Sequence, residues 1–185
     1  VLDGGPTLNP STYDLLAGIH GVAAEEVVVL PNSPNIVMAA EHAAELSEKV
    51  VRVSAARSPQ AGLTAALALD PQRSADDNVA AVDAALERLR TGAVAPAARD
   101  DGDGRFLVGD AVGFVDDAII AWGRPAPTLA AVLATLGEDA ELVTCIAGEG
   151  APLDEDGVRA LVPAGVELEC EAGGQPAYWW LLAAE

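Results

Sequence analysis

The stretch Val27–Lys49, "VVVLPNSPNIVMAAEHAAELSEK", decides the fold of this chain. Three β-branched residues, Val27, Val28 and Val29, read as a buried strand. The polar knot Leu30-Pro31-Asn32-Ser33-Pro34-Asn35 ends it. Ser33 is suited to cap a helix, and Pro34 to its first position, where a missing N–H costs nothing. Behind the knot, Ile36, Ala39, Ala43 and Leu46 recur at three- and four-residue spacing, with Glu41, Glu45, Glu48 and Lys49 opposite. That is an amphipathic helix.

The same order of signals occurs twice more. The chain opens "VLDGGPTLNPSTYDLLAGIHG", in which Val1-Leu2-Asp3 reads as the tail of a strand, Asn9 as a cap and Pro10 as the first helical residue. Later, "VVRVSAARSPQAGLTAALAL" repeats the pattern with Ser58 and Pro59. Strands alternating with such helices imply a parallel sheet, with all three knots at the carboxyl ends of its strands, where open α/β sheets bind ligands. Helix N-termini bring N–H groups and partial positive charge to that rim. Gly4, Gly5, Thr7, Asn9, Asn32, Ser33, Asn35, Ser58 and Gln60 are therefore candidate ligand- or anion-binding residues, although the same residue types also serve simply to cap helices and satisfy loop backbone. A fourth helix follows in "SADDNVAAVDAALERLR", with Ser74 as cap and Asp77 at N3.

The pattern then changes. "TGAVAPAARDDGDGRFLVGDAVGFVDDAIIAWG" reads as short strands joined by Gly/Asp turns, Pro125 to Leu136 as a helix, "ELVTCIAG" as a strand, "DEDGVRALV" as a short helix and "VELECEAGGQPAYWWLLAAE" as two last strands. The expected fold class is α/β in two lobes, a parallel βαβ lobe over residues 1–90 and a mixed-sheet α/β lobe over 91–185.

Charge and motifs narrow the chemistry. The formal net charge is −19 over 185 residues, with 6 basic and 12 acidic residues up to position 90 and 4 and 17 beyond it. Such a field repels phosphate backbones, so nucleic acid is not an expected partner. No apolar run approaches the roughly 20 residues that span a bilayer, and no signal peptide opens the sequence. Two lone cysteines, Cys145 and Cys170, suit buried roles in a cytoplasmic protein. The sequence has no phosphate-binding Gly-x-x-x-x-Gly-Lys loop and no Gly-x-Gly-x-x-Gly, and so carries no nucleotide motif. Asp100-Asp101-Gly102-Asp103-Gly104 lacks the later ligands of a calcium loop and reads as a hairpin turn. Glu167, Glu169 and Glu171 alternate with apolar residues as the wet side of a strand. His20 and His42 are isolated, have no cysteine partners and fall on helix surfaces, so no metal site or catalytic residue is assigned. Tyr178, Trp179 and Trp180 crowd one terminal strand; packing accounts for part of this group, and an exposed member would anchor a partner.

"DGGPTLNPSTYDLLAGI", "VVVLPNSPNIVMAAEHAAELS", "RSPQAGLTAALALDP", "NVAAVDAALERLRTGAVAPAARD" and "GGQPAY", in this order, resemble the C-terminal domain of the bacterial fatty-acid kinase ATP-binding subunit. These proteins are dihydroxyacetone-kinase-like, and the resemblance implies a two-lobed DegV-like fold. It also implies a longer parent protein that holds ATP and Mg in another domain, with no cofactor in this chain. A start at Val1, in mid-strand, fits a piece of such a protein. The role so implied is not catalytic by itself: the domain docks a fatty-acid-binding DegV-family partner for acyl phosphate formation. The competing reading is the substrate-binding domain of a dihydroxyacetone kinase, which needs a histidine that bonds the ketone. Whether the chain forms a homodimer is left open by the sequence.

Overall fold

Strand β1 (Glu26–Val29) runs parallel to β2 (Val50–Val53), in register from Glu26↔Val50 to Val29↔Val53. The two-residue period along both strands organises what surrounds them. On one side Val27 and Val51 are buried, with Val29 and Val53 beside them, against Leu15 and Ile19 of α1 (Thr12–Gly21) and Ile36, Ala40 and Ala43 of α2 (Pro34–Leu46). The intervening residues reach α4 (Ala75–Leu86) instead. The Glu26 carboxylate accepts the N–H of Ala75 at 2.6 Å, and Arg52 pairs with Asp76 at 2.5 Å. A carboxylate at a helix N-terminus is favoured by the dipole as well as by the hydrogen bond. Helix α3 (Pro59–Ala68) packs on α4, and the buried Asn78 braces the turn between them. Its amide donates to the carbonyls of Asp70, Arg73 and Ser74 while its oxygen accepts the N–H of Asp70. This computed structural model describes residues 1–2, 4 and 9–185 and divides into two units, Val1–Arg88 and Leu89–Glu185.

Lys49 is the only lysine in the sequence. Its Nζ donates to the carbonyls of Ile19 (3.1 Å), His20 (3.3 Å) and Val22 at the carboxyl end of α1. A cation there satisfies acceptors that the helix leaves open and opposes the negative end of its dipole.

Several expectations need correction in this unit. Val1 and Leu2 are exposed and lie in no strand, and Asp3 lies outside the described residues. Asn9 does not cap α1. Ser11 does, through a capping box in which its hydroxyl accepts the N–H of Asp14 and the Asp14 carboxylate accepts the N–H of Ser11. Two terminal donors are satisfied reciprocally by that pair, which a cap at Asn9 could not match. On α2, Ala40 joins the buried stripe and Leu46, one turn too far along, is exposed. Helix α4 stops at Leu86 rather than continuing to Arg90, which opens the next strand.

In the second unit β3 (Arg90–Pro96), β4 (Ala111–Val115), β5 (Ala118–Gly123), β6 (Leu142–Ala147), β7 (Glu167–Ala172) and β8 (Trp180–Ala184) form one sheet in the order β5-β4-β3-β8-β6-β7. All neighbours are antiparallel except β6 and β7. The core lies where Leu129, Val132, Leu133 and Leu136 of α5 (Pro125–Leu136) and Val158 of α6 (Glu155–Arg159) meet Val94, Val143, Trp180 and Leu182 of the sheet. Gly92 and Gly113 let α5 settle on the strands: a Cβ there would fall 2.6 Å from Leu136 and 2.7 Å from Val132. Asp116 (φ 47°) and Asp117 (φ 67°) form the tight β4–β5 turn, whose left-handed residues match the twist of the strands. The Asp116 carboxylate accepts the N–H of Thr91 and pairs with Arg90.

The capping role of Lys49 predicts that Lys49→Met, which keeps the chain length but removes three donor contacts, lowers the unfolding free energy of the first unit by about 1–2 kcal/mol. Urea titration followed by circular dichroism measures this; an unchanged midpoint would rule the cap out as a stabilising contact.

Candidate functional site

At the carboxyl ends of β1 and β2 the two knots are bound to one another. The ladder runs one step beyond the strands through Ser54 N–H to Val29 O (3.0 Å), and Asn32 N–H donates to Ala56 O (3.0 Å). Ser54 is buried, and its hydroxyl accepts the N–H of Ala56. Asn32 takes a left-handed conformation, φ 58°, which Asn tolerates better than most residues with a Cβ. Its side chain then lies over Gly62 in α3, where an added Cβ would come within 1.9 Å of the Asn32 Oδ1. The buried Gln60 stands two residues earlier on the same helix.

The helix-end donors are already engaged. At α2 the N–H of Asn35 goes to the Ser33 hydroxyl (3.3 Å) and that of Ile36 to Ser33 O (3.2 Å). At α3 the N–H of Ala61 goes to the Ser58 hydroxyl (3.2 Å) and that of Gly62 to Ser58 O (2.9 Å). Pro34 and Pro59 have no N–H to give. What this rim presents outward is the two helix dipoles and the exposed side chains of Asn32 and Asn35. Of the remaining candidates, the Asn9 N–H donates to Gly4 O at 3.1 Å. Gly5 and Thr7 lie outside the described residues.

His20 is exposed in the last turn of α1 and His42 is exposed on α2. Among the described residues no group of three or more His, Cys, Asp and Glu is arranged to hold a metal ion. Asp101 instead organises its own turn, accepting the N–H groups of Asp103 and Arg105 and the Arg105 guanidinium at 2.8 Å. That guanidinium, with the backbone donors, lowers its carboxyl from 3.8 to about 2. Cys145 and Cys170 face one another across β6 and β7, and burial pushes the Cys145 thiol up to about 12, the opposite of an activated nucleophile. No helix among the described residues is long and apolar enough to cross a membrane.

The terminal aromatic group is mostly structural. Trp180 is 0% exposed at the centre of the sheet core, so it cannot anchor a partner. Strand β8 begins at Trp180; Tyr178 and Trp179 precede it and are half-buried, and Trp179 packs edge-on against Trp180 with 6.2 Å between rings. The exposed tryptophan is Trp122, on β5, which the sequence reading passed over. Arg105 stacks on it, 5.6 Å from the ring centroid. The run "AIIAWG" has no polar alternation in its sequence, so nothing in it marked Trp122 as the exposed member.

Residues 1–185 match the FakA-like C-terminal family, the C-terminal part of proteins similar to the A-type component of fatty acid kinase. Protein YloV of Bacillus subtilis (strain 168) is 34% identical over 193 residues, a match that covers all of this chain and 35% of that protein. The chain thus spans about a third of the length of the curated relatives it matches. Among solved structures, the Streptococcus pneumoniae Fatty Acid Kinase (Fak) B3 protein loaded with linoleic acid superposes with a TM-score of 0.60 at 14% identity, covering 95% of this chain and 76% of that one. The dihydroxyacetone kinase of C. freundii does so with 0.57 at 12%, covering 94% and 41%. The chain therefore belongs to the FakA-like C-terminal family, and its fold is that of the DegV and dihydroxyacetone-kinase-like proteins.

Because Asn32 lies where a Gly62 side chain would be, Gly62→Ala destabilises the first unit by about 2–3 kcal/mol, despite the gain of roughly 1 kcal/mol in helix propensity. Asn32→Gly keeps the left-handed turn and vacates the space. The double variant is then expected to be more stable than Gly62→Ala alone, with coupling of about 1 kcal/mol or more in a denaturant double-mutant cycle; additive effects would mean that the two loops are not locked by this contact.

Proposed function

We propose that this chain is the domain of a fatty acid kinase that docks a fatty-acid-binding protein of the DegV class, bringing the acyl carboxylate to ATP held elsewhere in the longer protein. The observation that carries this reading is the match of the whole chain to the FakA-like C-terminal family. The shared fold with a B-type protein of a fatty acid kinase system supports it. The charge supports it as well: at −19, with Glu167, Glu169 and Glu171 exposed in a row on β7, the domain steers a partner that bears a basic patch, and does so most strongly at low salt. Tyr178 and Trp179, half-buried, remain candidate contact residues. The strand-end rim with Asn32 and Asn35 is a second place for a partner's carboxylate or another anion.

The dihydroxyacetone kinase reading asks for a histidine at the substrate. His20 ends a helix whose other end carries the Ser11 cap, and His42 stands within α2, two turns beyond the Ser33 cap at the strand ends. Both placements weigh against that role.

Titration calorimetry of this chain with an acyl-loaded DegV-family protein of the same organism tests the proposal. Saturable binding at micromolar affinity or better is expected, weakening as salt rises from about 0.05 to 0.3 M. Mg-ATP and dihydroxyacetone are expected to give no saturable heat. No affinity for any cognate DegV-family protein at low salt, or stoichiometric ATP binding, would overturn it.

A further inference from the structure

Cys145 and Cys170 are direct partners in the parallel ladder of β6 and β7, so their side chains rise on the same face of the sheet. Adjacent strands lie about 4.8 Å apart, inside the Cα separation of roughly 4.4–6.8 Å that a disulfide spans. That face packs against the helices: Cys145 is buried in the core cluster, and Cys170 is partly buried against it. The two thiols are free and hydrogen-bond to one another. Their access differs. Cys170 stands on an edge strand, which pairs only with β6 among the described residues, and it feels the charges of the ion-paired Glu155 and Arg159 of α6.

Burial raises both thiols, Cys145 to about 12, so neither reacts quickly by itself. What the pair has is proximity. Once the outer sulfur is carried into a mixed disulfide, the inner one already touches it, and an intramolecular attack needs no second encounter. A thiol of high pKa is also the stronger nucleophile once ionised. We infer that Cys145 and Cys170 form a dithiol site for exchange with low-molecular-weight disulfides of the glutathione class, yielding an intrachain disulfide that staples the edge strand β7 to β6. The Cys170 thiolate attacks one sulfur of the reagent, whose S–S bond breaks, and one glutathione leaves as a thiolate that takes up the proton Cys170 gave. The Cys145 thiolate then attacks the Cys170 Sγ, breaks the mixed disulfide and releases the second glutathione, which takes up the Cys145 proton. Two protein thiols are oxidised to one disulfide, and one reagent disulfide is reduced to two thiols. The closed loop runs from 145 to 170 and contains α6. The stapled strand is the one that exposes Glu167, Glu169 and Glu171.

Incubation of the folded 185-residue chain with excess oxidised glutathione at about pH 8, acid quenching and intact-mass measurement test this. The expected product has lost about 2 Da, retains no glutathione, yields a linked peptide pair containing both cysteines on digestion, and is fully restored by dithiothreitol. Hydrogen exchange over residues 167–172 is expected to slow about tenfold or more in the oxidised chain, because the link opposes local opening of the edge strand. Cys145→Ala is expected to stop at the mixed disulfide on Cys170, a gain of about 305 Da, whereas Cys170→Ala leaves Cys145 unmodified. Circular dichroism checks that each variant is folded; should one not fold, the mass and peptide map of the unaltered chain decide alone. The inference is overturned if the folded chain keeps both thiols under conditions in which the urea-unfolded chain reacts. Glutathione retained on the unaltered chain, a link between chains rather than within one, or unchanged exchange over residues 167–172 overturns it equally.

Discussion

Asn32, held with φ at 58° over a glycine that leaves it room, is the contact on which the strand-end loops of the first unit depend. Its N–H ties the loop after β1 to the loop after β2, and its side chain lies on the helix that follows the second loop. A strand-to-helix connection must dispose of polar backbone groups without water once it is partly buried. Here they are disposed of in pairs, by Ser33 and Ser58 within their own helices and by the Asn32–Ala56 bond between the loops. The polar knot is thus first a structural clamp.

The second unit meets a different constraint, which is to bring a helix down onto a twisted sheet. Glycines at 92 and 113 remove the side chains that would hold α5 away, and the leucines of that helix then bury fully against Trp180, Leu182 and Val94. A tryptophan so placed gives its area to the core, each buried Å² of apolar surface contributing roughly 25 cal/mol. The aromatic available to solvent is displaced to the sheet edge, at Trp122, where an arginine from the β3–β4 loop lies on its face.

Much of this was legible in the sequence, and what escaped did so for identifiable reasons. Ser33, Ser58 and Ser74 each cap the helix expected of them, because cap chemistry is local and independent of tertiary context. Asn9 failed for a related reason: Ser11 and Asp14 form a two-way capping box that outcompetes a lone asparagine before proline. The sheet order β5-β4-β3-β8-β6-β7 inserts the last strand in the middle, and that long-range pairing leaves no mark in local periodicity. This is also why Trp180 looked available: it stands on the last strand of the chain, which is a central strand of the sheet. The contact of Asn32 with Gly62 joins residues thirty positions apart and could not be read from either stretch alone.

Under the proposed function, this domain recognises a protein and leaves nucleotide chemistry to other parts of a longer protein. Competition tests that division most directly. The isolated chain is added in increasing amounts to an acyl-phosphate-forming reaction that contains the full-length kinase protein, its DegV-family partner and Mg-ATP. If the domain docks the partner, it inhibits by withdrawing it, and the inhibition is relieved by more partner protein and not by more ATP. Inhibition relieved by ATP alone, or a rate untouched by a large excess of the domain, would contradict a docking role.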